Sequence, residues 1–215
     1  MMKLTTENLC LEYQDGLNKR KILDCINLKI EGKESVVLVG PSGSGKSSLL
    51  YILSTLKKPT KGSVFLNNQE ISHTKETEKT RYDHFGFVFQ QNFLIPYLTV
   101  IENVCKASRD HQLKETAYIL LEELGIKHLA KKLPYQLSGG EKQRVSIARA
   151  LVTNPDVVFA DEPTAALDQE NANHIYSLLR RTTANKILVM ATHDMTLLDG
   201  TERVLRLENK NIVEE

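Results

Sequence analysis

Short apolar runs, bounded by glycine and polar residues, recur along the chain and predict a mixture of strands and helices. Ser35–Val39, Val157–Ala160 and Ile187–Ala191 are continuously apolar and of strand length. Such runs are typical of strands that are buried on both faces of a parallel sheet. We therefore predict a mainly parallel sheet at the centre of the fold, with a further strand at Phe85–Phe89.

The two ends of the chain carry the weaker pattern of antiparallel strands. Leu4–Tyr13 and Ile22–Ile30 are separated by turn residues, and Ser63–Leu66 is a further short strand. Near the C-terminus, Val204–Leu207 and Ile212–Val213 predict a closing hairpin. The N-terminal strands are expected to form an antiparallel β-subdomain beside the central sheet.

Helical spacing of apolar residues follows the first buried strand and fills the middle of the chain. Ser47–Leu56 has this spacing, and Pro59 lies beyond its end. Thr116–Leu124 and Glu141–Leu151 have it too, and Gly125 is a suitable C-terminal stop for the first of these two.

The order of these elements predicts an α/β fold in a single domain, residues 1–215. Strands come first, helices occupy the middle and strands return, as in an α-helical lobe inserted into an α/β core. We place the lobe at residues 91–150. The core takes residues 1–90 and 151–215.

Composition narrows the class of protein. The chain is 41% hydrophobic and 26% charged, as in ordinary globular proteins, and its net charge of +1 argues against a broad nucleic-acid footprint. Its apolar runs are far shorter than the roughly 20 residues that span a bilayer, and Met1–Leu4 leads into polar sequence without a signal region. A role at a membrane would therefore depend on docking to another protein.

The three cysteines, Cys10, Cys25 and Cys105, are scattered along the chain. We expect buried, unpaired thiols of a reducing compartment rather than a disulfide framework or a reactive cysteine. The six histidines show no pair at metal-ligand spacing, so no structural zinc site is predicted.

Between the first buried strand and the first helix, the chain matches the phosphate-binding pattern G-x-x-x-x-G-K-[ST]. The match comprises Gly40, Pro41, Ser42, Gly43, Ser44, Gly45, Lys46 and Ser47. Glycines let backbone N–H groups converge on phosphate oxygens, and the following helix adds the positive end of its dipole. Lys46 is expected to contact the outer phosphates, and Ser47 to offer a hydroxyl ligand to Mg²⁺.

The strand at Val157–Ala160 delivers two carboxylates, Asp161 and Glu162, at its C-terminal end. Ligands of open α/β sheets collect outside such strand ends. Asp161 can hold the Mg²⁺ shell, while Glu162 can orient or deprotonate an attacking water. Beside a phosphate loop, this pair indicates hydrolysis of a nucleoside triphosphate.

A second anion-binding feature is the Ser-Gly-Gly turn at Ser138–Gly140, which opens a helix. The phosphate loop already supplies donors to one phosphate site. We therefore expect this turn to bind the γ-phosphate of a nucleotide that is held by another copy of the protein.

With these motifs the chain resembles the ATP-binding cassette (ABC) ATPases over nearly all its length. In order, the matching elements are an A-loop aromatic Tyr13, the Walker A loop Gly40–Ser47, the Q-loop Gln90, the signature Leu137–Gln143, the Walker B residues Asp161 and Glu162, the D-loop Ala166–Asp168 and the switch His193. The resemblance implies a P-loop NTPase core and a head-to-tail dimer with two ATP molecules sandwiched between Walker A and the opposing signature.

The resemblance also implies roles for individual residues. Tyr13 would stack on adenine, although a tyrosine in a strand is more often simply half-buried. Gln90 would reach Mg²⁺ or the attacking water and report nucleotide occupancy to the lobe, and His193 would contact the γ-phosphate. The implied catalytic residues are Glu162, His193 and Gln90. The implied Mg²⁺ ligands are Ser47, Gln90 and Asp161. The residues that would contact ATP are Tyr13, Gly40, Pro41, Ser42, Gly43, Ser44, Gly45, Lys46, Ser47, Ser48, Ser138, Gly139, Gly140 and Asp168.

Two positions depart from the common family pattern. Glu141 stands in the signature where glutamine is commonest, and the lobe is short around Asn103–Glu115, the region that usually faces the transmembrane partner. The glutamate in the signature leaves Ser138 and Gly140 intact. The short lobe weakens any inference about the transmembrane partner.

Within the family, Phe85–Gln90, Leu94–Val100 and Glu102–Val104 are similar to the lipoprotein-releasing, macrolide-efflux and antimicrobial-peptide-resistance ATPases. This group also includes a cell-division ATPase and haem or bacteriocin exporters. The likeness implies a cytoplasmic subunit on the inner face of the cell membrane, which touches the membrane only through a permease with a large extracytoplasmic domain. The alternative is a non-transport ATPase that regulates a cell-wall or division enzyme through a membrane partner. A nucleic-acid role is not expected, because such relatives carry long coiled coils or two cassettes in one chain.

Overall fold

The computed structural model describes residues 2–16, 18–107 and 113–214. In chain order the strands are β1 (Lys3–Asp15), β2 (Asn18–Glu31), β3 (Ser35–Val39), β4 (Lys61–Leu66), β5 (Gln69–Glu70), β6 (Phe85–Val88), β7 (Val157–Asp161), β8 (Ile187–Ala191), β9 (Arg203–Glu208) and β10 (Asn211–Glu214). The α-helices are α1 (Lys46–Leu53), α2 (Thr77–His84), α3 (Val100–Cys105), α4 (Lys114–Glu123), α5 (Gly139–Leu151) and α6 (Gln169–Thr182).

The strands form two sheets. The central sheet has the order β10-β9-β3-β8-β7-β6, and its pairs are parallel except for β9 with β10. The second sheet has the order β2-β1-β4-β5 and is antiparallel. The predicted fold class, a mainly parallel sheet with an N-terminal antiparallel β-subdomain, is confirmed.

Alternate side chains of the central strands face opposite sides of the sheet, as the pleat requires. On β3, Val37 and Val39 join a core cluster that contains the buried faces of α3, α4, α5 and α6. Val36 and Leu38 join the other cluster, which contains α1 and the antiparallel sheet. Because β3, β6, β7 and β8 are parallel, their C-terminal ends lie along one edge of the sheet.

The strands Ser35–Val39 and Ile187–Ala191 have the predicted bounds, and β9 and β10 form the predicted hairpin. The first helix ends earlier than predicted, at Leu53 instead of Leu56, because the chain turns at Thr55, whose φ is +59°. The C-terminal stop at Gly125 has the expected left-handed φ of +70°.

Helices α2 and α6 were not predicted from the sequence. α2 has no buried residue, so it lacks the apolar spacing on which the prediction depends. α6 does have a buried stripe, formed by Ala172, Ile175, Tyr176, Leu178 and Leu179. Its N-terminal cap is Asp168, whose carboxylate accepts a hydrogen bond from the Asn171 backbone N–H at 3.0 Å.

The expectation of buried thiols is wrong for Cys25, which is exposed, while Cys10 is buried and Cys105 is partly buried. Cys25 lies where the pairing of β1 and β2 changes register, between Leu9–Ile26 and Leu11–Leu23, and its φ is +52°. Such an irregularity breaks the strand alternation from which burial is predicted. Among the described residues, no helix is both long and apolar enough to cross a membrane.

Candidate functional site

The glycine-rich loop follows β3 and closes tightly against its surroundings. The φ angle of Gly45 is +109°, and a Cβ at this position would lie 3.0 Å from Ile22 Cγ2. A Cβ on Gly40, whose φ is +146°, would lie 2.7 Å from the Leu207 carbonyl oxygen. Both positions therefore require glycine for conformational and steric reasons. Gly45 is the N-cap residue of α1, and it has no side chain that could accept a hydrogen bond from the helix. The first N–H groups of α1 therefore remain available to the loop.

Lys46 is 7% exposed and folds back over this loop. Its ammonium group donates to the carbonyl oxygens of Gly40, at 2.9 Å, and Pro41, at 3.2 Å. An ammonium group has three N–H donors, so these two bonds leave one for an oxygen of a bound anion.

The loop is joined to the carboxylates of the neighbouring strand. The Ser47 hydroxyl donates to Asp161 Oδ1 at 2.8 Å, although β7 and β3 are separated by β8 in the sheet. Asp161 is 2% exposed. The hydroxyl oxygen of Ser44 is buried and has no hydrogen-bond partner within the described residues. Ser44 lines a neighbouring cavity that is bounded by residues 19–22 and 207–210.

Glu162 and His193 form the second pair at this edge. His193 Nδ1 lies 2.8 Å from Glu162 Oε2, and the Glu162 side chain is 12% exposed against 63% for His193. The Glu162 backbone has φ of +45°, an uncommon value for a non-glycine residue, and its N–H donates to the Ala191 carbonyl at 2.9 Å. This bond ties Glu162 to the end of β8, directly after strand β7 ends at Asp161.

These groups share one cavity of about 770 Å³. Of the residues that sequence analysis singled out, it is lined by Tyr13, Ser42, Gly43, Gly45, Lys46, Ser47, Ser48, Gln90, Glu162 and His193. The Gly40 and Pro41 carbonyls bound by Lys46 lie in the same loop, and Asp161 is buried beneath it. The structure therefore brings together the predicted phosphate loop, the carboxylates, Gln90 and His193.

Tyr13 lies at the outer end of this cavity and is 40% exposed. The Lys57 ammonium lies 4.0 Å from its ring centroid and hydrogen-bonds its hydroxyl. The hydrogen bond from Lys57 is the main cause of a lowered pKa of Tyr13, and a weaker one comes from Ser48. On the paired strand, Arg20 stands opposite Tyr13 and also lines the cavity. The ring therefore lies at the cavity with the Lys57 charge beside it, where it can stack on a planar base.

Ser138, Gly139 and Gly140 do not line this cavity. Ser138 caps α5, and its hydroxyl accepts from the Glu141 backbone N–H at 3.3 Å. In return, Glu141 Oε2 accepts from the Ser138 N–H at 2.7 Å, which lowers the pKa of the Glu141 carboxyl. The two bonds form a capping box, so the glutamate at the position where the family commonly has glutamine stabilises the start of α5.

Asp168 also lies outside the cavity lining, next to the Ser-Gly-Gly turn. A Cβ on Gly139 would lie 3.7 Å from Leu167 Cδ2, and one on Gly140 would lie 3.6 Å from Asn171 Oδ1. The Asp168 carboxylate accepts from the Asn171 backbone N–H, and this bond lowers its pKa. The start of α5 and the start of α6 therefore form one surface.

Three groups of the site escaped sequence analysis. Arg20 and Lys57 flank Tyr13 only because of strand pairing and chain reversal. Tyr51 lies one turn after Ser47 on α1, and its burial, together with the hydrogen bond and negative charge of Asp161, raises its pKa to about 12. Residues four apart on a helix lie on the same face, so the spacing between Ser47 and Tyr51 could have indicated that Tyr51 lies near the site.

A glycine loop between a parallel strand and a helix, with a buried aspartate bonded to the loop serine, defines a nucleoside triphosphatase of the P-loop class. Comparison with known proteins refines this class. Residues 23–165 match the ABC transporter family, and the chain belongs to that family and is an ATPase.

The relatives cover nearly the whole chain. It is 40% identical to the lipoprotein-releasing system ATP-binding protein LolD of Pseudoalteromonas translucida, over 96% of this chain and 93% of that protein. It is 37% identical to the putative hemin import ATP-binding protein HrtA of Staphylococcus aureus, over 99% of this chain and 100% of that protein. The cassette MJ0796, solved as a dimer in a post-hydrolysis state with ADP and Pi, superposes with a TM-score of 0.88, 36% identity and coverage of 99% and 97%.

Proposed function

We propose that this chain hydrolyses Mg²⁺-ATP as one half of a head-to-tail pair, in which the Ser138–Gly140 turn of a second cassette subunit completes each site. The observation that carries the proposal is that, within one chain, the two predicted phosphate-binding features lie apart from each other. Lys46, Ser47 and Glu162 share a cavity, whereas the Ser-Gly-Gly turn lies outside it. A γ-phosphate in the cavity can therefore meet that turn only from another subunit.

The phosphate loop fits a nucleotide with its divalent ion. Gly43 and Gly45 line the cavity without side chains, so a phosphate can approach their backbone closely. Ser47, Asp161 and Gln90 are the oxygen ligands that we assign to Mg²⁺, a cation that prefers such donors. The ion would neutralise negative charge on the outer phosphates. The remaining phosphate contacts come from Ser42, Ser48 and the Lys46 ammonium, which the Pro41 carbonyl helps to hold in place, and Tyr13 receives the base.

Glu162 is the residue that we assign to the attacking water. Glu162 lines the cavity, and its carboxylate lies 2.8 Å from His193 Nδ1, within reach of a hydrogen bond that it accepts when this ring nitrogen carries a proton. A positioned carboxylate of this kind orients water and takes its proton. His193, being more exposed, is free to turn towards the γ-phosphate while Glu162 stays fixed by the backbone bond to Ala191.

The segment after Gln90 is a physical link between this site and the proposed lobe, residues 91–150. The partly buried Arg149 guanidinium on α5 donates to the carbonyl oxygens of Asn92, at 2.6 Å, and Phe93, at 2.8 Å. Movement of Gln90 is thereby transmitted to α5, which begins at the Ser-Gly-Gly turn. The D-loop residue Asp168 is next to that turn and would reach the second subunit with it.

We further propose that the pair drives a membrane permease and lies on the cytoplasmic face of the membrane, in contact with the bilayer only through that permease. The name of LolD, a lipoprotein-releasing protein, supports release of a lipoprotein, and that of HrtA, a putative hemin import protein, supports transport of a haem-type cargo. Pull-down of the tagged chain from solubilised membranes tests this step. Recovery of a permease with a large external domain supports transport, and recovery of a cell-wall or division enzyme supports the regulatory alternative.

The shared site is tested with Glu162→Gln as the background. This variant should bind ATP, lose turnover by about 10²- to 10⁴-fold and accumulate as an ATP-dependent dimer on a sizing column. Adding Ser138→Arg should abolish the dimer while nucleotide binding by the single subunit survives. The matched control is Ser177→Arg, at an exposed position of α6.

Each variant has an outcome that contradicts the proposal. Normal hydrolysis by Glu162→Gln would remove Glu162 from the mechanism. Dimers of the Ser138→Arg double variant, in the amount formed by the Ser177→Arg control, would show that the turn does not contribute to a shared site.

A further inference from the structure

A cluster of three metal-ligating side chains lies in the antiparallel sheet, apart from the nucleotide cavity. The thiols of Cys10 and Cys25 and a carboxylate oxygen of Asp24 all lie within 4.8 Å of one another. None of the three residues lines the nucleotide cavity. Cys10 is on β1, whereas Asp24 and Cys25 are on β2.

The local backbone is what brings these groups together. Adjacent residues of a regular strand point to opposite faces, so Asp24 and Cys25 would normally diverge. Here Cys25 has φ of +52°, and the β1–β2 register shifts on both sides of Cys10. The bulge directs both side chains towards the Cys10 thiol, which donates to the Asn8 carbonyl at 3.5 Å.

We infer that Cys10, Cys25 and Asp24 form a binding site for a thiophilic divalent cation, with Zn²⁺ as the ion that fits best. Zinc bonds of about 2.0–2.3 Å in a tetrahedron place ligand atoms roughly 3.3–3.8 Å apart, so a contraction of about 1 Å closes the site. Two thiolates and one carboxylate leave the fourth position for water.

The charges around the cluster suit this ion. Two thiolates and a carboxylate carry three negative charges, so the complex with Zn²⁺ keeps one net negative charge. The Lys21 ammonium lies 3.0 Å from Asp24 Oδ2, and Lys210 is a weaker positive neighbour; both lower the pKa of the Asp24 carboxyl. A carboxylate has two oxygens, so Asp24 can keep Lys21 on one and offer the other to the metal.

The thiols must lose their protons when the metal binds. The hydrogen bond with Asp24 and then that with Cys10 raise the pKa of the Cys25 thiol. Zinc is therefore expected to displace two thiol protons into solvent as two Zn–S bonds form. No electron transfer is involved, so the protein is kept reduced in the experiment.

The test uses the full chain, reduced and free of nucleotide and Mg²⁺, titrated with Co²⁺ as a spectroscopic substitute for Zn²⁺. We expect a near-ultraviolet thiolate-to-cobalt charge-transfer band that saturates at one equivalent and disappears when Zn²⁺ is added. Competition with a chromophoric chelator then gives the Zn²⁺ affinity, and a weakly buffered solution reports the released protons.

Cys25→Ser is the principal variant, because Cys25 is exposed and its replacement leaves the core intact. It should abolish the band and weaken Zn²⁺ binding by at least about 100-fold, and Asp24→Asn should weaken it by about 10- to 100-fold. Cys105→Ser, which removes the remaining cysteine, should bind like the wild type. A reduced wild-type protein without the band, a Cys25→Ser variant that keeps it, or a thiol pair that only forms a disulfide would overturn the inference.

Discussion

Asn103 on α3 is 1% exposed and anchors the segment that follows Gln90. Its side-chain amide donates to the carbonyl oxygens of Ile95, at 3.1 Å, Leu98, at 2.9 Å, and Thr99, at 3.0 Å. Its Oδ1 accepts from the Ile95 backbone N–H at 2.7 Å. Asn103→Leu keeps the approximate size of the side chain and removes every one of these bonds.

The size of the effect follows from counting donors. The amide has two hydrogens, which its three acceptors share, and its oxygen adds one further bond. Three hydrogen bonds at about 1 kcal/mol each give a loss of about 3 kcal/mol in the free energy of unfolding. For a domain of this size, that loss lowers the melting temperature by about 6–12 °C.

Urea unfolding followed by circular dichroism measures the difference, and Asn173→Leu on the exposed face of α6 is the matched control. Asn103→Asp provides a second comparison, because it keeps the acceptor for Ile95 and loses only the donors. If Asn103→Leu unfolds within about 1 kcal/mol of the wild type, the anchoring argument is wrong. Nucleotide binding should survive in all three variants, since none touches the phosphate loop.

Two further substitutions test other parts of the site. Gly45→Ala places a Cβ 3.0 Å from Ile22 Cγ2 at a residue whose φ is +109°. This variant should lose nucleotide binding in a filter assay, and its free energy of unfolding should fall by about 1–3 kcal/mol. The control is Gly125→Ala, which also has a positive φ but has no atom within 4 Å of the added Cβ, and it should bind nucleotide normally. Glu141→Gln should lower stability by about 0.5 kcal/mol at pH 7, because the folded state depresses the carboxyl pKa. That difference is present above the ordinary carboxyl pKa of about 4.3 and should vanish as the pH of a urea titration falls through the depressed value.

The central strands were the most predictable part of the fold. Ser35–Val39 and Ile187–Ala191 are continuous apolar runs of strand length, as expected for strands that are buried on both faces of a parallel sheet. The phosphate loop was predictable for a similar reason, since its glycines and Lys46 act within one local segment. The carboxylates of Asp161 and Glu162 followed because parallel strands end at the same edge of the sheet.

Groups that meet across long separations were not predictable. Tyr13 and Lys57 come together through the path of the antiparallel sheet. Cys10 and Cys25 are neighbours only because β1 and β2 pair with a shifted register, and a shift of one residue would send the side chains to the other face. Spacing along the chain therefore gave no sign of the candidate metal cluster.

The signature turn illustrates how a single chain can indicate a second one. The first N–H groups of a helix have no acceptor within the helix. In α5, the Ser138 hydroxyl accepts the hydrogen bond of the Glu141 backbone N–H. The N–H groups of Gly139 and Gly140 are then left at a surface where neither residue has a side chain to cover them. Among the residues that the structure describes, the atoms nearest to a Cβ on either glycine belong to Leu167 and Asn171, on the side of α6. Donors arranged in this way suit an anion that arrives from outside, and the cavity around Lys46 is where we propose that such an anion is held. In the proposed function, one copy presents the phosphate and another presents the turn, so closure of the pair would depend on the nucleotide.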